Sequence, residues 1–543
     1  MEDAIRRAIE FQAKKLLKRE EKKRFAKRKY QRRYKLRTGM PATVGAYRYP
    51  RVWDISPHFD PRYCISHSKY LARVIWLKIR NRSYKPAAAV RYQIAQDSGG
   101  FREIMVFSVP DAAVANLFYR KLRDKNRNLF SPFSYAYMKD RGLFDAVIQL
   151  RSYLVGGKKY VIQFDFAKYF DSIDHKYIEH LFNRTNFNVS DTEKYLIREF
   201  LKHPISDAKD YAFDSAEKRL TGVPQGSSLS LFLANMAGHE LDRRLESTNG
   251  QFVRFADDIV AITNSHDDAL NVLKSFDDHC RYSGIAINHE KSPGISILES
   301  AVKSEKRTFF LNDGDGNEID EIGDFDYIGH KFLPDKIMLS TRGMKRTRRR
   351  VAKIIYLHLL YTLKKFKRFD LSRVRGQHFD WDLVTCVNEV RKFIYGGLKQ
   401  SEIMSFVSGD GRLGKMRGFI GFCPLMDSIE QFRELDGWLL DVIRRALTER
   451  YRLIHNMRKA KAKAKGTKLK ILRKSVPSKK ALIAGSWYNG PAKLTLELGA
   501  PSFVLAWRAA RKKYKQYGLD DFEDPKYYSH ASSFPSISGL YET

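Results

Sequence analysis

The stretch VRFADDIVAI, Val253 to Ile262, decides the fold. Two short apolar runs flank the adjacent acids Asp257 and Asp258, the pattern of two strands turning at a polar tip. An isolated Asp-Asp tip is an ordinary hairpin, so its meaning lies in its neighbours. Upstream stands VIQFDFAKYFDSIDH, Val161 to His175, a strand of alternating character that ends at Asp165 and runs on to the aromatic pair Tyr169 and Phe170. Between the two lies GVPQGSSLSLFLANM, Gly222 to Met236, a glycine and proline turn that enters an apolar helix.

In this order the three segments resemble the palm of reverse transcriptases. The resemblance implies two divalent ions, one lowering the pKa of a primer 3′-hydroxyl and the other neutralising the triphosphate and its leaving pyrophosphate. Oxygen ligands suit a hard ion, so Mg2+ is expected, with Mn2+ as a substitute. Asp165 and Asp257 are then the bridging ligands, the Phe166 carbonyl a further ligand and Asp258 the weaker member of the cluster. GGFREI, Gly99 to Ile104, followed by Pro110, resembles the fingers motif whose arginine, here Arg102, holds the incoming triphosphate. SPFSYAY, Ser131 to Tyr137, resembles the segment before the palm. GIAINHEKS, Gly284 to Ser292, is similar to the later palm motif whose lysine, here Lys291, protonates pyrophosphate. FDYIGHKF, Phe325 to Phe332, is similar to the hairpin that grips the primer end. Together these matches span residues 84–340.

The same resemblance assigns nucleotide contacts to Lys168, Tyr169, Phe170, Gln225 and Gly226. The residue five positions after Asp165 is Phe170, whose ring would lie beneath the incoming sugar and leave no room for a 2′-hydroxyl, favouring dNTPs. Tyr169 and Phe170 are expected to alternate on a strand, one of them facing the core. Two departures stand out: Ser230-Leu231 replaces the Ser-Pro that many relatives carry after the PQG turn, and FADD replaces the commoner YADD. Both turn the resemblance toward the divergent prokaryotic reverse transcriptases associated with phage defence.

The 543 residues, 43% hydrophobic, can bury more than one core, roughly two to four structural units. The formal charge of +37 predicts a polyphosphate partner. No run approaches the length of a membrane span and the first residues lack a signal peptide's apolar stretch, so the cytoplasm is expected and a membrane is not. Cys64, Cys280, Cys386 and Cys423 are too scattered for a zinc or disulfide framework and read as buried thiols. Residues 1–40 hold 16 basic and 5 acidic side chains, with Ile5, Ile9, Leu16 and Leu17 as one apolar helical stripe. Tyr30, Arg32, Arg33 and Tyr34 interleave rings with guanidinium groups, which suits nucleic acid, though a protein partner or a plain solvated face would use the same charge.

Beyond the palm, helical patterning begins near Arg342 and returns at Leu383 to Tyr395 and Ile429 to Tyr451, where a thumb belongs. Lys345, Arg346, Arg348, Arg349 and Arg350 would face phosphate there, or simply water. Lys461 to Lys474 is low in complexity, and SFVLAWRAARKKYKQYG, Ser502 to Gly518, is helix-like. No RNase H-like carboxylate set and no endonuclease Cys/His cluster can be read.

The expected architecture is α+β, a right-handed polymerase: a basic helical arm (1–45), fingers (46–150), a palm with an antiparallel sheet and inserted fingers elements (151–335), a helical thumb (336–455) and a C-terminal extension (456–543). The expected activity is RNA-directed DNA synthesis from dNTPs with an RNA template or noncoding RNA in antiphage defence, the product being DNA. A homo-oligomer or a partner reverse transcriptase is an open expectation. A retron or intron-derived enzyme copying its own RNA is the first alternative, and an RNA-binding scaffold with dispensable activity the second.

Overall fold

The apolar runs flanking Asp257 and Asp258 form paired strands in the computed structural model, which describes residues 1–42, 45, 47–95, 101–212, 217, 219–288, 292–299, 308–310, 318–375, 379–464, 466, 475–488 and 497–523. The chain divides into two compact units, Met1–Phe25 with Ala46–Gly323, and Ala26–Gly45 with Asp324–Thr543.

In the first unit, β1 (Ala89–Ala95) and β2 (Phe101–Val106) form an antiparallel hairpin, and β1 also pairs in parallel with a short later strand, Ile205–Asp207. The main sheet has six strands. Its centre is Lys159–Phe164 (β3), flanked on one side by Asp258–Thr263 (β6) and then Gln251–Phe255 (β5), with Ile205–Asp207 numbered β4. On the other side lie Gly294–Leu298 (β7), Glu318–Ile322 (β9) and Thr308–Phe310 (β8). All neighbours run antiparallel except β7 and β9. Val161 and Ile162 are both fully buried, because the central strand is covered on both faces at that point. The helix His266–Ser283 presents Ala269, Val272 and Phe276 at helical spacing to the sheet, and Phe276 meets Phe164 with ring centroids 4.4 Å apart. Truncating a ring so enclosed costs about 3–5 kcal/mol.

The second unit opens with a three-stranded meander, β10 (Phe325–Tyr327), β11 (His330–Phe332) and β12 (Ile337–Leu339). Helices Thr341–Leu359, Trp381–Tyr395, Glu430–Ala464 and Phe503–Tyr517 follow. The first two start within two residues of their expected positions. The third runs 13 residues past Tyr451, since its Lys and Ala run is a strong helix former. At the centre of this unit Arg450 donates to Asp380 at 2.9 Å and to Asp382 at 2.7 Å, and Arg373 and Arg37 share the other Asp382 oxygen.

The N-terminal residues do not form an arm of their own. One helix, Glu2–Thr38, gives its first part to the first unit, where Ile5, Ile9 and Ala13 are fully buried. Its last part belongs to the second unit, where Arg37 reaches Asp382 and Arg33 donates to Glu389 at 2.7 Å. Tyr34 is 3% exposed, edge-on to Phe366, and is therefore a core ring unavailable for stacking on a base. Cys64, Cys386 and Cys423 are buried and Cys280 half-buried, none of them bridged. Among the described residues no helix is long and apolar enough to cross a membrane.

Candidate active site

The register of β3 and β6 pairs Phe164 with Ile259, so its continuation by one residue puts Asp165 across from Asp258. In the β5–β6 hairpin Phe255 pairs with Asp258, leaving Ala256 and Asp257 as the two turn residues. Ala256 has φ +63°, a left-handed conformation that glycine normally takes at the first position of such a turn. Strand pairing alone therefore gathers the three acids at one end of the sheet. Burial, then the neighbouring Asp258 and Asp165 charges, push the Asp257 carboxyl up to about 6, while Arg102 pulls the other way.

The chain just after β3 is fixed from the segment Gly284 to Ser292. The Asp165 amide donates to Ser292 Oγ at 3.0 Å, Asn288 N to the Asp165 carbonyl at 2.8 Å, and Ala167 N to the Ala286 carbonyl at 2.8 Å. Phe166 is paired with Ile287 by these flanking bonds, so its own carbonyl takes no part in them, while its side chain is buried. Ser292 and Asn288 are site residues that sequence reasoning missed; their motif was noticed only for its lysine. Lys291 itself lies outside the described residues.

Arg102 stands on β2, and its Nε donates to Gln225 Oε1. The Gln225 amide in turn donates to Asp171 at 3.0 Å, and Met105 N to the Gln225 carbonyl at 2.8 Å. Gly226, at φ +130°, lets the PQG turn lie against β2, since a Cβ there would stand 2.1 Å from the Met105 carbonyl oxygen. Its close approach is thus to a strand of the protein. The structure brings Asp165, Asp257, Asp258, Arg102 and Gln225 into one neighbourhood, and adds Asp171 and Tyr137. Tyr137, half-buried with φ +63°, feels both Asp257 and Arg102, and burial holds its hydroxyl well above the usual range.

Tyr169 and Phe170 sit on a short helix, Tyr169–Ser172, and not on a strand. Tyr169 is buried with its hydroxyl donating to the Ala234 carbonyl at 2.7 Å, which makes it a core residue and corrects its assignment to the nucleotide. Phe170 is half-buried, and its carbonyl accepts from Val223 N at 2.6 Å, tying it to the start of the PQG turn. Lys168 is exposed.

The remaining expected contacts belong to the second unit. Arg32, Lys345, Arg346 and Arg349 are exposed, and Arg350 is half-buried. Arg33 is held by Glu389, and Arg348 pairs with Glu434.

Among the described residues no group of three His, Cys, Asp or Glu side chains stands assembled to hold a metal ion. The donor chemistry nonetheless fits one: an all-oxygen acidic cluster in which Asp258 and Asp165 raise the proton affinity of Asp257 is what a hard divalent cation relieves. Asp165, Asp257, Asp258 and the Phe166 carbonyl are the groups that would hold it.

Residues 93–332 match the family described as reverse transcriptase (RNA-dependent DNA polymerase), so this stretch of the chain carries a reverse transcriptase domain. More particularly, it is similar to a putative COX1/OXI3 intron 2 protein of Saccharomyces cerevisiae, 24% identical over 299 residues that make up 42% of this chain and 34% of that protein. It is also similar to the retron Ec73 reverse transcriptase of Escherichia coli, 26% identical over 204 residues, 35% of this chain and 58% of that one. The chain thus spans between about a third and three fifths of these relatives' lengths. Among solved structures, telomerase from Candida albicans in complex with a TWJ fragment of telomeric RNA matches with TM-score 0.35 and 13% identity, over 74% of this chain and 67% of that one.

Proposed function

We propose that this protein is an RNA-directed DNA polymerase that extends a primer with dNTPs by two-metal phosphoryl transfer, with Mg2+ as the ion. The observation that carries the reading is the Asp257 carboxyl, set by strand register among Asp258 and Asp165 and facing the counter-charge of Arg102. Bound divalent ions would supply Lewis acidity to the attacking hydroxyl and to the leaving pyrophosphate. Asp165 and Asp257 would hold those ions, Arg102 orients the triphosphate, and Phe170 excludes a ribose 2′-hydroxyl. We place the fingers at 46–150, the palm at 151–335 and the thumb at 336–455.

The double variant Asp257→Ala/Asp258→Ala should lose dNTP incorporation by several orders of magnitude while keeping its fold and its RNA binding. Primer extension with labelled dNTPs measures this, and near-normal incorporation would remove the assignment. The biological setting proposed is cytoplasmic antiphage defence with a noncoding RNA. The intron and retron relatives favour a second reading, a polymerase copying its own RNA. Phage challenge of wild type and the double variant, with sequencing of the DNA that accumulates, separates the two: protection that needs the acids supports defence, and cDNA matching an adjacent intron or retron-like RNA without protection supports the second.

A further inference from the structure

Arg254 is among the largest fully buried side chains of the molecule, and nothing in the two-metal reading uses it. Its guanidinium forks onto Asp242, Nε to Oδ1 and Nη2 to Oδ2, both at 2.6 Å. The remaining nitrogen, Nη1, donates to the Ala256 carbonyl at 3.1 Å and reaches Asn235 Oδ1 at 3.4 Å. Asn235 Nδ2 donates to the Ala136 carbonyl at 2.8 Å. On the backbone, Arg254 N donates to the Phe133 carbonyl and Tyr135 N to the Arg254 carbonyl, each at 2.9 Å. One residue therefore ties the helices Leu229–Ala237 and His239–Glu246, the segment leading to Tyr137, and the turn that carries Asp257.

A buried ion pair is weak evidence for stability, because well-packed apolar residues of similar volume often do as well or better. What this one provides is direction. Ala256 holds a left-handed conformation that an L-residue adopts only at a cost, and its carbonyl is the atom Nη1 grips. The fit is close: a Cβ on Gly238 would stand 2.9 Å from the Arg254 Cζ and Nη1.

We infer that Arg254, backed by Asp242 and Asn235, is a positioning residue that fixes the Ala256–Asp257 turn and with it the spacing of the Asp257 and Asp165 carboxylates, an inference that rests on the polymerase reading above. The test is Arg254→Met/Asp242→Leu, which removes both charges together and leaves no unpaired one. Its melting temperature should stay near that of wild type. Its kcat for dNTP incorporation should fall by about a hundredfold, the scale of an ångström-sized misplacement, with the dNTP KM little changed because Arg102 and Gln225 are untouched. Amide hydrogen exchange over Ala256–Asp258 should quicken by about tenfold or more. Gly238→Ala, which pushes on the guanidinium while keeping the pair, should give the same split in milder form and serves where the double variant does not fold. A folded variant with unchanged kcat and unchanged exchange at the turn would overturn the inference. If wild type itself incorporates no dNTP, the polymerase reading fails by that result alone, and the exchange rates still decide whether Arg254 holds the turn.

Discussion

Tyr169 and Phe170 show what a single residue's placement settles. On a strand they would face opposite ways; on the short helix Tyr169–Ser172 they turn by about 100° from one to the next, which buries Tyr169 and leaves Phe170 half-buried. The expected consequence is a division of effects. Phe170→Ala should raise the ratio of kcat/KM for NTP over dNTP, since the void admits a 2′-hydroxyl. Tyr169→Phe should leave that ratio alone and lower stability by about 1 kcal/mol through the lost bond to the Ala234 carbonyl. Competition assays and thermal melts of the two variants check this, and a changed ratio in Tyr169→Phe would reverse the assignment. The acids were legible in the sequence because each lies in a short contiguous motif, whereas the left-handed Ala256 and the Arg254 to Asp242 pair that accompanies it depend on how strands and helices pack in the fold.

At the scale of elements, the first helix is the chief departure from expectation. Its apolar stripe could be read because helical periodicity is local, and Ile5 and Ile9 are indeed buried. The role of its basic second half could not, because its partners lie 356 residues away for Arg33 and 345 for Arg37. Removing residues 1–25 should thus expose a core face and yield a protein that melts far lower or is insoluble. A truncated protein with a wild-type melting temperature would restore the picture of a detachable arm. Burial alone would raise the Glu389 carboxyl, but Arg33, with Lys29 and Lys392, draws it down to about 2. A folded-state value below the unfolded one means that this stabilisation is complete above about pH 4.5 and is lost as pH falls toward 2. Glu389→Gln should accordingly be less stable than wild type at pH 7, with the two stability curves converging in acid. Curves that stay parallel would show that the ion pair contributes nothing.

Across the whole molecule, a formal charge of +37 remains even if every acid is paired, and Lys345 and Arg346 are exposed. Replacing both with Ala should weaken RNA binding and reduce the slope of log K against log salt by about two. Filter binding over a range of ionic strength measures it, and an unchanged slope would mean that the helix Thr341–Leu359 faces water. The existence of more than one core could be read from length and composition; the division between Phe25 and Ala26 could not, since it falls inside a helix with no proline or glycine to mark it. That shared helix also imposes an order of events during synthesis. Arg37 leaves the ribosome 345 residues ahead of Asp382, a delay on the order of tens of seconds, so the basic half of the helix is made long before its acidic partners exist. For that interval the nascent chain carries an unneutralised cationic segment, and its final docking is a long-range closure that makes folding of the second unit slow and dependent on the last third of the sequence.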